Sequence, residues 1–131
     1  MHDLTAEKRY THLAIDWERV PKDSKLEGFL VFHENHPDVF ERFLHYSREL
    51  RDRGLIRGNS SRRVIDRIRW DGWYVWEHYS PYYARLLDHA YRHEFGADFF
   101  ANKAGPADQV HDVVMGDCRT RYGGNPAWSR P

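Results

Sequence analysis

The chain has 131 residues, 20 basic and 20 acidic side chains, and one cysteine, Cys118. This length favours one domain, the single cysteine excludes a disulfide framework and a cysteine-based zinc ribbon, and the balanced charge argues against a chain-wide nucleic-acid coat. Aromatic residues make up 15% of the chain, so a mean hydropathy of -0.85 does not indicate disorder. No apolar run approaches the roughly 20 residues of a membrane span, and the N-terminus has no signal-peptide pattern. We therefore expect a cytoplasmic protein without a membrane partner.

The first half of the chain predicts helices. Residues 4–17 form a first candidate. Ser24 and Glu27 fit a capping box that opens a short helix with an apolar stripe. Pro37 suits the first turn of the next helix, which we predict over 38–53 because its apolar residues recur at helical spacing.

The second half predicts two more helices around a short ribbon. Ser60 is an N-cap candidate for a helix over 61–70. The Trp73–Trp76 segment then indicates a short strand or extended ribbon after a turn. Ser80 followed by Pro81 opens a helix over 81–95.

These elements predict a mainly α fold: a compact bundle of four to five helices with one short β ribbon, for which a winged-helix arrangement is one form. We expect the helices to pack through one apolar core, with Trp70 in it. The predicted core residues are Phe40, Phe43, Leu44, Ile65, Ile68, Tyr83 and Leu87.

Glycine and proline become frequent after Phe100. This change predicts a helical globular domain over 1–101 and a C-terminal tail over 102–131 that is loosely ordered or attached to the domain surface. Within this tail, Val110, Val113 and Val114 mark one further short helix before Gly116.

Basic charge is concentrated between Arg48 and Arg69. This segment has eight arginines against three acidic residues, a net charge of +5, and no lysine. Arginine grips phosphate bidentately, and exposed aromatic rings stack on unpaired bases. The leading hypothesis is therefore a small regulatory or accessory protein that binds DNA or RNA through its third helix. The candidate binding residues are Arg62, Arg63, Arg67, Arg69, Trp73 and Trp76.

The alternative, purely structural interpretation is that these arginines form a solvated helix face and pair with acidic neighbours. The four-residue spacing of Arg67 and Asp71, for example, favours an ion pair. In that case the dense aromatic residues around Trp70, Trp73 and Trp76 favour a protein-interaction module instead, because Trp and Tyr are typical of interface hot spots. One continuous arginine patch would support nucleic acid, whereas dispersal into ion pairs would support the module.

Nine histidines and Cys118 are candidates for a metal-binding or catalytic site. His89 and His93 lie four residues apart, as zinc-binding helices require, but the glutamate of a metalloprotease motif is absent. His33 and His36 fit helix-end roles. We therefore predict no metal, no cofactor and no catalytic residue, and a histidine-based enzyme is the least favoured hypothesis.

Three stretches resemble a known family: His33–Pro37 (HENHP), Arg67–Trp70 (RIRW) and Tyr79–Leu86 (YSPYYARL). They are similar to small proteins encoded widely in bacteriophages and prophages, a family without an assigned activity. The resemblance covers roughly residues 26–100 and implies a phage or bacterial setting, in which the interaction module would engage a host protein. Residues 74–78 depart from the asparagine-rich stretch of such relatives, so a role of those polar residues would be lost or changed here.

Overall fold

The computed structural model describes residues 14–115, which form a mainly helical, compact unit with one two-stranded antiparallel sheet. Its helices are α1 (Lys25–Asn35), α2 (Pro37–Asp52), α3 (Ser61–Trp70), α4 (Ser80–Phe95) and α5 (Val110–Val113). The strands are β1 (Ala14–Ile15) and β2 (Val114–Met115), and 3-10 turns occupy Trp17–Arg19, Glu77–Tyr79 and Pro106–Gln109. The predicted fold class is confirmed.

The predicted start and stop signals explain where the helices begin and end. The Ser24 hydroxyl accepts the Glu27 N–H at 3.1 Å before α1, and the Ser60 hydroxyl accepts the Arg63 N–H at 3.3 Å before α3. Such caps satisfy N–H groups that lack a partner within the helix. Gly54 follows α2 with a φ of +85°, a left-handed conformation that glycine adopts without a steric cost.

Helix α4 lies at the centre of the bundle and packs against α2, α3 and α5. Its Tyr83 ring meets Phe29 of α1 edge-on, with the ring centroids 4.8 Å apart, and stacks on Phe43 of α2 at 5.5 Å. All the core residues predicted from the sequence are buried, and Phe29, Leu30, Leu86 and Tyr91 join them.

At and after the end of α3, one sequence prediction is wrong, and the strand form of another is not observed. Trp70 is 89% exposed instead of lying in the core. It follows Arg63 by seven residues and Arg67 by three, so the helical period turns it away from the buried face of α3. Trp73–Trp76 form no strand, because the sheet pairs residue 14 with 115 and residue 15 with 114. The wing of a winged helix is therefore not formed at this position.

Residues 102–115 belong to the stretch predicted as a tail, and they pack on α4. Val110 and Val113 of α5 are buried, and the short helix predicted from the valines is present, but Val114 lies in β2 instead of the helix. The guanidinium of Arg85, only 4% exposed, donates to the Asp108 carboxylate at 2.8 Å and to the Lys103 carbonyl. The division into a domain over 1–101 and a tail over 102–131 stays a prediction.

The helix predicted over 4–17 falls mostly outside the described residues. Of that range, Ala14–Ile15 form β1 and Trp17 begins a 3-10 turn. Among residues 14–115, no helix combines the length and the apolar character that crossing a membrane requires.

Candidate functional site

Helix α3 carries the four arginines that the sequence singled out, and it presents them to two different neighbours. Its buried stripe, Val64, Ile65 and Ile68, faces the core, so the arginines lie on the remaining surface. Arg62 and Arg69 face the turn before α4, whereas Arg63 and Arg67 border a cleft against α2.

On the first side, Glu77 holds two arginines. One of its carboxylate oxygens accepts from Arg62 at 2.5 Å and from Arg69 at 3.0 Å. Arg62 also pairs with Asp66 at 3.1 Å. The seven-residue spacing that places Arg62 and Arg69 on one face of α3 is therefore used to fasten the Glu77–Tyr79 turn.

On the second side, Arg63 and Arg67 meet Arg53 across a cleft of about 170 Å³ between α2 and α3. The carboxylate that approaches Arg67 is Glu49, with N and O atoms 3.7 Å apart. The predicted Arg67–Asp71 ion pair is replaced by another contact, because Asp71 accepts a hydrogen bond from the Tyr46 hydroxyl. We call Arg53, Arg63 and Arg67 the cleft arginines.

Two arginines of α2 are bound to one carboxylate on α4. Glu94 accepts from Arg48 at 2.7 and 2.8 Å and from Arg51 at 2.5 Å. Burial raises the pKa of Glu94, but the hydrogen bonds and charges of Arg48 and Arg51 outweigh it, so the pKa lies below its ordinary value. These arginines join α2 to α4 and are withdrawn from any ligand.

Exposed aromatic rings lie at the end of α3 and just beyond it. Trp70 is 89% and Tyr74 86% exposed, and with Trp73 they border a shallow hollow of about 430 Å³. Asp66 and Arg69 lie at its rim, and Gly72 forms the turn with a φ of +99°. We call Trp70, Trp73 and Tyr74 the aromatic patch.

The two tryptophans predicted as site residues, Trp73 and Trp76, are each covered on one face by a cation. The guanidinium of Arg42 lies 5.0 Å from the centroid of the Trp73 ring, and the ammonium of Lys25 lies 5.5 Å from that of Trp76. Such cation–π contacts fix the orientation of a ring. Trp73 belongs to the aromatic patch, whereas Trp76 packs edge-on against Tyr79 with ring centroids 5.2 Å apart.

The histidines lie in separate places. His33 is buried between the Phe29 and Phe40 rings. Nδ1 of His89 lies 3.3 Å from Nδ1 of His111, a contact that the sequence did not reveal. Within residues 14–115, no three His, Cys, Asp or Glu side chains are grouped to hold a metal ion, and Cys118 lies outside the described residues.

The structure therefore does not bring the six predicted site residues into one surface. It divides five of them among a fastened pair, a cleft and the aromatic patch, and Trp76 lies apart against Tyr79. The most informative residues that sequence reasoning missed are Glu77 and Tyr46. For Glu77, the sequence holds a signal that could have indicated this contact. Glu77 lies eight residues after Arg69, in the segment that must turn back toward α3 to start α4.

Comparison of the chain with protein-family models, with curated proteins and with solved structures finds no match.

Proposed function

We propose that this chain is a protein-interaction module whose contact surface is the aromatic patch. The observation that supports the proposal is the exposure of Trp70 and Tyr74 beside a hollow next to Arg69. Trp, Tyr and Arg are the residues most enriched at interface hot spots. A folded monomer gains nothing from two large rings held in water, whereas a partner that covers them does.

The size of that gain is considerable. A Trp or Tyr ring buries about 150–250 Å² when it is covered, and each Å² of apolar surface is worth about 25 cal/mol. Covering Trp70 and Tyr74 therefore contributes several kcal/mol before the cost of association. Trp73 is already positioned by Arg42, so the partner meets at least one pre-ordered ring.

The charges around the patch favour a protein over a polyanion. Asp66 lies at the rim and pairs with Arg62, and Glu77 pairs with both Arg62 and Arg69, so two carboxylates balance two arginines on this side of α3. A nucleic-acid backbone brought to this side would meet two carboxylates together with two arginines that already have partners. An apolar protein surface with a few polar groups at its edge meets no such opposition.

The test uses a bacterial extract, in keeping with the setting that the sequence resemblance implies. Proteins captured by the immobilised chain in 0.5 M salt are identified and the partner is purified, after which its affinity is measured by calorimetry. We expect Trp70→Ala with Tyr74→Ala to weaken binding at least tenfold, with a negative heat-capacity change for the wild-type complex.

Two controls make this result specific. Trp17→Ala removes another exposed tryptophan, 42% exposed and outside the patch, and should leave the affinity unchanged. Affinity should also vary little between 0.1 and 0.5 M salt. A partner that binds the patch variant as tightly as the wild type, or that is displaced by salt alone, contradicts the proposal.

A second candidate function is nucleic-acid binding, which Arg53, Arg57 and Arg63 favour because none of the described residues forms an ion pair with them. Here Arg63 would contact phosphate first, Arg67 would follow after release from Glu49, and Arg62 and Arg69 would have to leave Glu77. Trp73 and Trp76 would stack on bases.

The test of nucleic-acid binding is Arg62→Glu with Arg63→Glu on mixed-sequence DNA and RNA at low salt, with the fold checked by circular dichroism. No wild-type binding, or equal binding by the folded variant, eliminates this candidate.

A further inference from the structure

The cleft between α2 and α3 concentrates positive charge on three side chains. Arg53 ends α2, and Arg63 and Arg67 lie one turn apart on α3. One carboxylate, Glu49, lines the cleft with them, and it already contacts His45 at 2.9 Å. Three guanidinium groups against one carboxylate leave two positive charges, because arginine stays protonated in proteins.

Of the cleft arginines, Arg67 contacts both an aromatic ring and the Glu49 carboxylate, whereas Arg53 and Arg63 are exposed. The Arg67 guanidinium lies over the Tyr46 ring, 4.3 Å from its centroid. The Tyr46 hydroxyl in turn donates to Asp71, a bond that with burial raises the Tyr46 pKa. For Arg53 and Arg63, the described residues supply no ion pair. Arg67 is thereby positioned at the cleft, and the exposed guanidinium groups of Arg53 and Arg63 are accessible to an anion.

The rest of the lining is apolar. Leu50 of α2 and Val64 of α3 complete the cleft, and its volume is about 170 Å³. Pockets for whole cofactors or drug-sized ligands span about 300–1,000 Å³. The space thus matches one tetrahedral anion with a few carbon atoms, and the rest of a complete nucleotide would lie outside the cleft.

We propose that the cleft binds a phosphate monoester, with the phosphate on Arg53, Arg63 and Arg67 and the ester carbons against Leu50 and Val64. A phosphate monoester is mostly a dianion at neutral pH, which matches the two uncompensated charges of the cleft. A phosphodiester of a nucleic acid has one charge, and a carboxylate has one charge and a planar shape. This inference is independent of the aromatic patch and goes beyond the proposed function.

The experiment measures thermal unfolding of the full chain with phenyl phosphate at constant ionic strength. A ligand that binds only the folded state raises the melting temperature in proportion to the logarithm of its concentration above Kd. We expect phenyl phosphate to stabilise the wild type at lower concentration than inorganic phosphate, because only the ester contacts the apolar wall. Benzoate, with the same ring and one charge, should act at least tenfold more weakly.

The variants locate the site. Arg63→Gln and Arg53→Gln should each raise the phenyl phosphate concentration needed for a given shift at least tenfold, whereas Arg63→Lys should have an intermediate effect because it keeps the charge and loses the fork. Arg57→Gln is the matched control, an exposed arginine between the same helices but outside the cleft. It should respond as the wild type does.

Three results would overturn the proposal: no shift with phenyl phosphate, an equal loss in Arg57→Gln and Arg63→Gln, or stabilisation by single-stranded oligonucleotides alone. The last result would transfer these arginines to nucleic-acid binding. Because the Gln variants leave Trp70 and Tyr74 intact, they should retain partner binding. Failure of the phosphate site is thereby distinguished from failure of the proposed function.

Discussion

Arg85 and Arg63 lie on neighbouring helices, α4 and α3, and their surroundings are opposite. Arg85 is buried, donates to Asp108 at 2.8 Å and to the Lys103 carbonyl, and fastens the chain after α4 to the bundle. Arg63 is exposed, faces two other arginines, and has no ion pair with any described residue. The chain therefore uses one residue type for two tasks, and the partner of each guanidinium distinguishes them.

The arginines of an arginine-rich segment can therefore have different structural roles. Of the basic residues between positions 48 and 69, those that face Glu94 or Glu77 hold elements together. The cleft arginines are left for a ligand because the acids that face them are too few. Substitutions that exchange or remove those partners test this division, and the following predictions go from the largest expected effect to the smallest.

Arg85→Gln should have the largest effect. It removes a charged hydrogen bond to Asp108 and another to the Lys103 carbonyl, so the free energy of unfolding should fall by about 3 kcal/mol, the upper end of the range for one such bond. Urea denaturation measures the loss. Arg92→Gln is the control, because its pair with Asp88 is exposed and should change stability by less than about 1 kcal/mol. Equal losses in both variants would contradict the structural role of Arg85.

Glu94→Gln should cost about 2 kcal/mol, because the bonds from Arg48 and Arg51 lose their charged acceptor. The pKa of Glu94 is lowered in the folded state, so its contribution is present above the ordinary value of 4.5 and is lost as pH falls through the lowered pKa. Wild-type stability should thus decline below about pH 5 more steeply than that of the variant. Parallel profiles would show that Glu94 does not cause this decline.

Local signals made much of the fold predictable. Ser24, Pro37, Ser60 and Gly54 fix helix ends through neighbouring backbone groups, and these residues lie within a few positions of the groups that they satisfy. Apolar periodicity then identified the buried faces of α2, α3 and α4. The prediction that Trp70 lies in the core was wrong because it relied on the large size of the side chain and not on its position on the helical wheel.

The site was less predictable because its contacts are distant in sequence. Arg48 and Glu94 are 46 positions apart and Tyr46 and Asp71 are 25 apart, so no spacing rule connects them. In the sequence, the seven-residue spacing of Arg62 and Arg69 and the four-residue spacing of Arg63 and Arg67 place each pair on its own strip of a helix, and the structure has this division. The sequence did not indicate that Glu77 would hold the first pair while Arg53 would join the second.

Glu77→Gln should change stability by at most about 1 kcal/mol, since its ion pairs with Arg62 and Arg69 are largely exposed. The substitution frees two arginines without placing them in a cleft. We therefore expect no gain in stabilisation by phenyl phosphate, measured as the melting-temperature shift. A gain equal to that of a cleft substitution would mean that positive charge alone, rather than the cleft, binds the anion.

Glu49→Gln is the matched change inside the cleft and should have the smallest effect on stability. Its ion pair with Arg67 is long, at 3.7 Å, and that with His45 is exposed, so removing them should cost less than about 0.5 kcal/mol. The net charge of the lining residues rises from two to three. A dianion a few ångströms away in a partly hydrated site gains about 1 kcal/mol from the loss of that repulsion, so phenyl phosphate should bind about three- to tenfold more tightly. Titration of the melting temperature compares the two glutamate variants directly. If Glu49→Gln binds no better than Glu77→Gln, the carboxylate does not face the bound anion, and the phosphate lies outside the cleft.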